Sequence, residues 1–72
     1  MGQQAEHYNL ASERVRLGMT QEQLANKLGC SVKTLWKWEK DIAAMPVEKL
    51  RMASKIFGCS IDYLTDMTAE RV

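Results

Sequence analysis

The sequence is poor in the residues on which catalysis and metal binding depend. It has one histidine, His7, and two cysteines, Cys30 and Cys59, which lie far apart in the chain. Zinc takes about four ligands at short spacings, so these residues do not form a zinc motif. No serine or cysteine has a base at motif spacing, and neither paired carboxylates nor a glycine-rich phosphate loop is found. We therefore expect no enzyme activity, no metal and no cofactor.

Long apolar runs are missing as well. No run approaches the roughly 20 residues of a membrane-spanning helix. The polar N-terminal residues 1–6 lack the apolar centre of a signal peptide. A cytoplasmic protein is the expectation. Two cysteines permit a disulfide, but in that compartment Cys30 and Cys59 are expected to be reduced and half-buried.

The chain also lacks an excess of charge of either sign. Ten basic residues face nine acidic ones, for a net charge of +1. The overall charge therefore argues neither for nor against nucleic acid, and only its distribution is informative. The 72 residues allow one domain. This length leaves no room for a second, catalytic domain. A domain of this size buries about 60% of its unfolded surface, and its free energy of unfolding is expected to be roughly 3–5 kcal/mol.

What the sequence does contain is two short helices with clear boundaries, within residues 18–40. Thr20 and Gln23 have the spacing of a capping box, in which each side chain bonds the backbone N–H of the other. Gly29 is placed to end the first helix. Ser31 is placed to cap a second helix, whose inward stripe is Leu35, Trp38 and Ile42.

The opposite face of the second helix carries a row of lysines. At 100° per residue, Lys33, Lys37 and Lys40 lie on the outward face, with Trp36 at its edge. One interpretation is an ordinary solvated helix face. The other is a DNA-reading helix, because a helix held by another across a turn of three or four residues fits a major groove.

Helical patterns also cover the rest of the chain, and no strand pattern is found. A first helix is predicted from about His7 to Gly18, and a loop without glycine over residues 40–45. A fourth helix follows Pro46, with an inner stripe of Val47, Leu50, Ala53 or Ser54, and Phe57, and a short last helix starts at Ser60. The expected domain spans 7–66, between tails at 1–6 and 67–72. The predicted core is Leu10, Val15, Leu24, Leu28, Leu35, Trp38, Leu50, Phe57, Ile61 and Leu64.

These motifs resemble those of the Cro and cI-type helix-turn-helix family, also called the XRE family. The resemblance covers roughly residues 10–64. It is most specific in Met19-Thr20-Gln21, Leu24-Ala25, Leu28-Gly29, Ser31, Thr34-Leu35 and Lys37-Trp38-Glu39. It implies an all-α fold, a compact bundle of five short helices like the lambda repressor domain.

The resemblance also implies roles for individual residues. Base contacts are expected from Val32, Lys33, Trp36 and Lys37, and phosphate contacts from Gln21, Ser31, Thr34 and Lys40. A lysine can donate to guanine, and Val32 can contact a thymine methyl group. Two alternatives stay open: Trp36 packing against the fourth helix, and Gln21 as a solvated residue. A structural ion pair is expected between Arg14 and Glu39.

The implied function is sequence-specific regulation of transcription, and a repressor is expected before an activator. Useful specificity calls for a homodimer on a pseudo-palindromic duplex, with recognition helices about 34–36 Å apart. Antitoxins and restriction-modification controllers belong to the same class. The alternative is a protein-interaction module that binds a partner through apolar residues 42–45 or the C-terminal helix. Candidate dimer contacts are Ile56, Tyr63 and Met67.

Overall fold

The structure is a computed structural model that describes residues 9–65. The predicted tails, Met67 and the predicted helix start at His7 lie outside this range. The elements in chain order are α1 (Asn9–Arg16), α2 (Gln21–Leu28), α3 (Val32–Lys40), a 3-10 helix (Ile42–Ala44), α4 (Val47–Phe57) and α5 (Ile61–Leu64). Within the described residues there is no strand. The predicted all-α bundle of five short helices is confirmed.

The capping box at the start of α2 is present. The Thr20 hydroxyl accepts the Gln23 backbone N–H at 3.1 Å, and the Gln23 side chain accepts the Thr20 N–H at 2.8 Å. Two backbone donors that a helix start leaves without partners are thereby satisfied. The start of α2 is therefore fixed by its own sequence.

The turn from α2 to α3 is equally well determined. Gly29 has φ +72°, in the left-handed region that glycine adopts without steric cost. Its N–H donates to the Asn26 carbonyl, and the Cys30 N–H donates to the Ala25 carbonyl at 3.0 Å, as in a Schellman motif. Ser31 then caps α3 by accepting the Thr34 N–H at 3.1 Å. The chain thus leaves one helix and enters the next within three residues.

One hydrophobic core joins the five helices. Its buried members are Leu10, Leu24, Ala25, Leu28, Leu35, Trp38, Met45, Leu50, Ala53, Phe57, Cys59 and Leu64. Most of the predicted core is in this set, and Ile61 packs against it as a half-buried residue. Of the two candidates on α4, Ala53 is buried and Ser54 is only partly so.

Two predicted inward residues face solvent instead. Val15, predicted in the core, is 63% exposed, because five residues after Leu10 it has turned about 140° away from that buried position. Val47, predicted in the stripe of α4, is 60% exposed. It lies at the first position of α4, and the buried stripe begins one turn later at Leu50.

The predicted loop at 40–45 is partly helical. Residues Ile42–Ala44 form a single 3-10 turn, and Met45 after it is 4% exposed. Ile42 packs partly against the core, which leaves Ala43 and Ala44 as the exposed apolar residues of this segment. The segment therefore directs its larger side chains inward.

A buried carboxylate connects α1 to the C-terminal end of the bundle. Glu13 is 3% exposed and accepts hydrogen bonds from the Arg16 guanidinium at 2.9 Å and the Tyr63 hydroxyl at 3.3 Å. Arg16 also donates to the carbonyl of Phe57 at 3.2 Å. Glu13 occupies the inward position that Val15 does not, and these donors compensate the burial of its charge.

Candidate nucleic-acid interface

The outward face of α3 consists of the residues that do not pack into the hydrophobic core. Leu35, Trp38 and Glu39 are buried. The exposed residues of the helix are Val32, Lys33, Trp36, Lys37 and Lys40. The four residues predicted to reach bases therefore share one accessible helix face.

Trp36 is the largest apolar group on this face. Its side chain is 51% exposed, and the Lys40 ammonium lies 4.2 Å from the centroid of its ring. A cation at this distance is attracted to the ring face, by about 0.5–1 kcal/mol at an exposed site. The contact follows from their i, i+4 spacing, which places the two side chains one above the other.

Two shallow grooves meet at the Trp36 side chain. Lys33, Thr34, Lys37 and Asp41 line the first together with Trp36 and Lys40. The second is lined by Ala11 of α1, Gln21 of α2 and Glu39, again together with Trp36 and Lys40. The indole therefore forms a wall common to both grooves, on the side of the bundle where α1 and α2 approach α3.

A buried hydrogen-bonded cluster holds α3 against α1 and α2. The Arg14 guanidinium donates to the Glu39 carboxylate, with 2.7 Å between Nε and Oε2, and to the Met19 carbonyl at 3.0 Å. The other carboxylate oxygen of Glu39 accepts from the Gln21 side chain at 3.0 Å. The expected Arg14–Glu39 contact is thus formed in the structure. Its third member, Gln21, also belongs to the predicted phosphate contacts.

Polar groups at the start of α3 are placed to meet an anion. The Ser31 and Thr34 hydroxyls are 2.9 Å apart and share one hydrogen bond. Two hydroxyls carry two protons, so one proton is left to donate to an outside acceptor. The first turn of α3 also has backbone N–H groups without helical partners and the positive end of the helix dipole. Such a site can donate hydrogen bonds to a phosphate oxygen.

The charges around this face are mostly positive. Lys33, Lys37 and Lys40 are exposed. Asp41 lines the first groove with all three, and Glu39 lines the second groove with Lys40. The chain as a whole therefore has a net charge of only +1, yet one face of α3 is basic.

The turn below this face holds a thiol. Cys30 and Cys59 do not form a disulfide; Cys30 is half-buried as predicted, whereas Cys59 is buried in the core. Burial raises the pKa of the Cys30 thiol, and the nearby Lys49 ammonium partly offsets that rise. Lys49 also fastens α4 to the end of α2, because its ammonium donates to the Leu28 carbonyl at 2.6 Å. Among the described residues, no group of histidine, cysteine, aspartate and glutamate side chains could hold a metal ion.

Two features of the site escaped prediction from the sequence. The first is the bond from Gln21 to Glu39, which uses one N–H of the Gln21 amide. Nothing local signals it, because the two residues lie on different helices. The second is the Trp36–Lys40 contact, for which the i, i+4 spacing of an aromatic residue and a lysine is a readable signal.

The fold and this site together define a helix-turn-helix protein: a capped helix, a three-residue turn, and a second helix with its charged face outward. The chain belongs to the Cro and cI-type helix-turn-helix family, the XRE family, whose model, described as helix-turn-helix, matches residues 10–64. No curated protein and no solved structure gave a match. In the part of the chain that the structure describes, no helix is long and apolar enough to cross a membrane.

Proposed function

We propose that this chain is a sequence-specific regulator of transcription that places α3 in the major groove of duplex DNA. The family is one of DNA-binding helix-turn-helix regulators. The observation that carries the proposal is the outward face of α3, where lysines and an exposed tryptophan stand on a helix whose other face is buried. A face of this composition supplies both attraction to phosphate and groups that discriminate bases.

The exposed residues divide by what they can contact. Lys33 in the first turn of α3 and Lys37 near its middle donate to the O6 and N7 acceptors of guanine, and Val32 contacts a thymine methyl group. Lys40 lies at the end of the helix and reaches phosphate. The hydroxyls of Ser31 and Thr34 and the second amide N–H of Gln21 add uncharged phosphate contacts.

The proposed active form is a homodimer that represses. A single helix of nine residues reads too few bases to select one site among the 10⁶–10⁹ competing sites of a genome. Two copies on a pseudo-palindrome multiply the discrimination, with their recognition helices about 34–36 Å apart. Repression is the simpler outcome, because occupying the DNA blocks transcription without any further protein contact. Antitoxins and restriction-modification controllers that bind their own operators fit the same geometry.

The protein-interaction alternative loses part of its support. It relied on apolar residues 42–45, yet Met45 is buried and Ile42 packs partly against the core. Two alanines, Ala43 and Ala44, are what this segment exposes. A side chain as short as alanine offers little area to a partner. We therefore rank DNA binding above it.

The test is selection of bound fragments from a random duplex library, followed by titration of the enriched duplex at several salt concentrations. Each phosphate neutralised by a cation contributes about −0.9 to the slope of log K against log salt. Lys40 alone on phosphate gives a dimer a slope of about −1.8, whereas all three lysines on phosphate give about −5.4. The slope therefore separates base-reading lysines from lysines that only contact phosphate.

An enriched inverted repeat that is bound with a salt slope near about −1.8 supports the assignment of Lys33 and Lys37 to bases. An enriched repeat with a slope near about −5.4 supports DNA binding but assigns both lysines to phosphate contacts. No enriched sequence, with weak retention that salt does not change, contradicts the proposal. The K40A variant checks the assignment of Lys40 to phosphate, because it is expected to make the slope of the dimer less steep by about 1.8.

A further inference from the structure

Val32 and Trp36 form an apolar strip within the basic face of α3. They are the large hydrophobic residues of this helix that remain exposed, at 38% and 51% of their surface. Their i, i+4 spacing places them one above the other, about 6 Å apart along the helix axis. Lys33 and Lys37 follow each of them by one residue, so a lysine stands beside each apolar group.

The ring of Trp36 has a neighbour on its own helix. The Lys40 ammonium lies 4.2 Å from its centroid, and the same two side chains line both grooves of the face. An attraction of about 0.5–1 kcal/mol favours this arrangement of the ring over others. An aromatic side chain has only two χ angles to order, so it supplies a large apolar contact at a low cost in conformational entropy.

The chemistry of this strip limits what it can recognise in a major groove. Valine has no hydrogen-bonding group, and an indole has one donor and no acceptor. Amino groups of cytosine and adenine placed against the strip would lose water without gaining an acceptor, which is unfavourable. The thymine 5-methyl group is the apolar group that base pairs present in this groove.

We propose that Val32 and Trp36 make this chain a reader of pyrimidine 5-methyl groups, with Trp36 as the main specificity-determining residue. The inference rests on the DNA binding proposed above. For a helix that lies along the groove, the 6 Å strip spans about two base-pair steps of 3.4 Å. Each half-site then contains one or two thymines whose methyl groups contact the strip. A 5-methylcytosine at the same position presents the same methyl group to the strip, beside the amino group that cytosine also carries.

The experiment replaces the thymines of the duplex selected from the random library with deoxyuridine, one at a time. Loss of one buried methyl group is expected to weaken binding about fourfold, or about 0.8 kcal/mol, at one or two positions per half-site. Replacement of the same thymine by 5-methylcytosine, paired with guanine, is compared with unmodified cytosine there, and the methylated duplex is expected to bind more tightly. Deoxyuridine elsewhere in the duplex serves as the internal control.

Two variants assign the effect to the strip. W36A, at an exposed position, is expected to fold and to bind both duplexes more weakly while losing the difference between thymine and deoxyuridine. K37A is the matched control, since it is expected to weaken binding and keep that difference. Circular dichroism confirms that both variants are helical.

Each result bears on the inference. A methyl effect that W36A removes and K37A keeps supports it. Specific binding with no deoxyuridine effect at any position overturns it and leaves the DNA-binding proposal intact. A methyl effect that survives in both W36A and V32A overturns it as well, since another group then reads the methyl. Failure to enrich any duplex removes the proposed function, and the inference with it.

Discussion

Removing Arg14 gives the sharpest test of how α3 is fixed to the rest of the bundle. Glu39 is 7% exposed, and its carboxylate is bound by Arg14 at 2.7 Å and by the Gln21 amide at 3.0 Å. Arg14→Met keeps most of the aliphatic bulk but leaves the carboxylate without its counter-charge. An uncompensated buried charge costs about 3–5 kcal/mol, and a domain of this size gains only about 3–5 kcal/mol on folding. The variant is expected to be largely unfolded at 25 °C.

Two further variants separate loss of the charge pair from loss of the surrounding packing. Glu39→Gln leaves the charge on Arg14, whose side chain is 16% exposed and still bonds the Met19 carbonyl. This change is expected to cost about 1–3 kcal/mol, a fall in Tm of about 4–8 °C for each kcal/mol. The double variant R14M/E39M removes both charges, and it is expected to be more stable than R14M because no charge is left buried alone.

Urea denaturation measures all four proteins. Far-UV circular dichroism follows the helices, and in a W36F background the fluorescence of buried Trp38 reports on the core beside Glu39. The reasoning is refuted if R14M lies within about 0.5 kcal/mol of the parent, the range of an ordinary surface substitution. It is refuted equally if R14M/E39M is no more stable than R14M.

Three further predictions concern the turn and the outward face. Lys33→Ala and Lys37→Ala are each expected to cost about 1–3 kcal/mol of binding free energy on the selected duplex and to relax specificity at the base contacted. Gln21→Ala is expected to weaken binding to all sequences alike. Competition between matched and mismatched duplexes distinguishes the two effects. Gly29→Ala is expected to lower the free energy of unfolding by about 1–2 kcal/mol, because φ is +72° at this position. Gly29→Asn is expected to lower it less, because asparagine tolerates this conformation better. Thermal denaturation measures both variants, and equal losses would contradict a backbone cause. The Cys30 thiol is expected to react with an alkylating probe more slowly at neutral pH than a free thiol, because burial raises its pKa and lowers the thiolate fraction. Its rate should still be rising at a pH where that of the free thiol has levelled off, and matching profiles would show that the thiol is not perturbed.

The parts of the fold that depend on near neighbours were predictable. The capping box at Thr20, the left-handed Gly29 and the Ser31 cap each involve residues within four positions of one another. Hydrogen bonds of this range need no knowledge of the rest of the chain. They define the start and end of α2 and the start of α3, and so the orientation of the candidate interface.

The parts that depend on distant neighbours were less predictable. Val15 is apolar yet 63% exposed, while Glu13 on the same helix is 3% exposed. That exchange depends on the Tyr63 hydroxyl, which lies fifty positions away in the sequence. Hydrophobic periodicity cannot detect a carboxylate whose burial is compensated by another helix. The inward turn of Met45 likewise depends on a 3-10 helix with no strong local signal.

The orientation of Trp36 shows how a local signal and the tertiary fold combine at the site. Its spacing from Lys40 is a local feature, whereas its exposure depends on α1 and α2 stopping short of covering it. Because Leu35, Trp38 and Glu39 already fix α3 to the bundle, Trp36 has no structural task that requires burial. The division of α3 into a buried face and an exposed face therefore assigns stability and the proposed DNA specificity to different residues of the same helix.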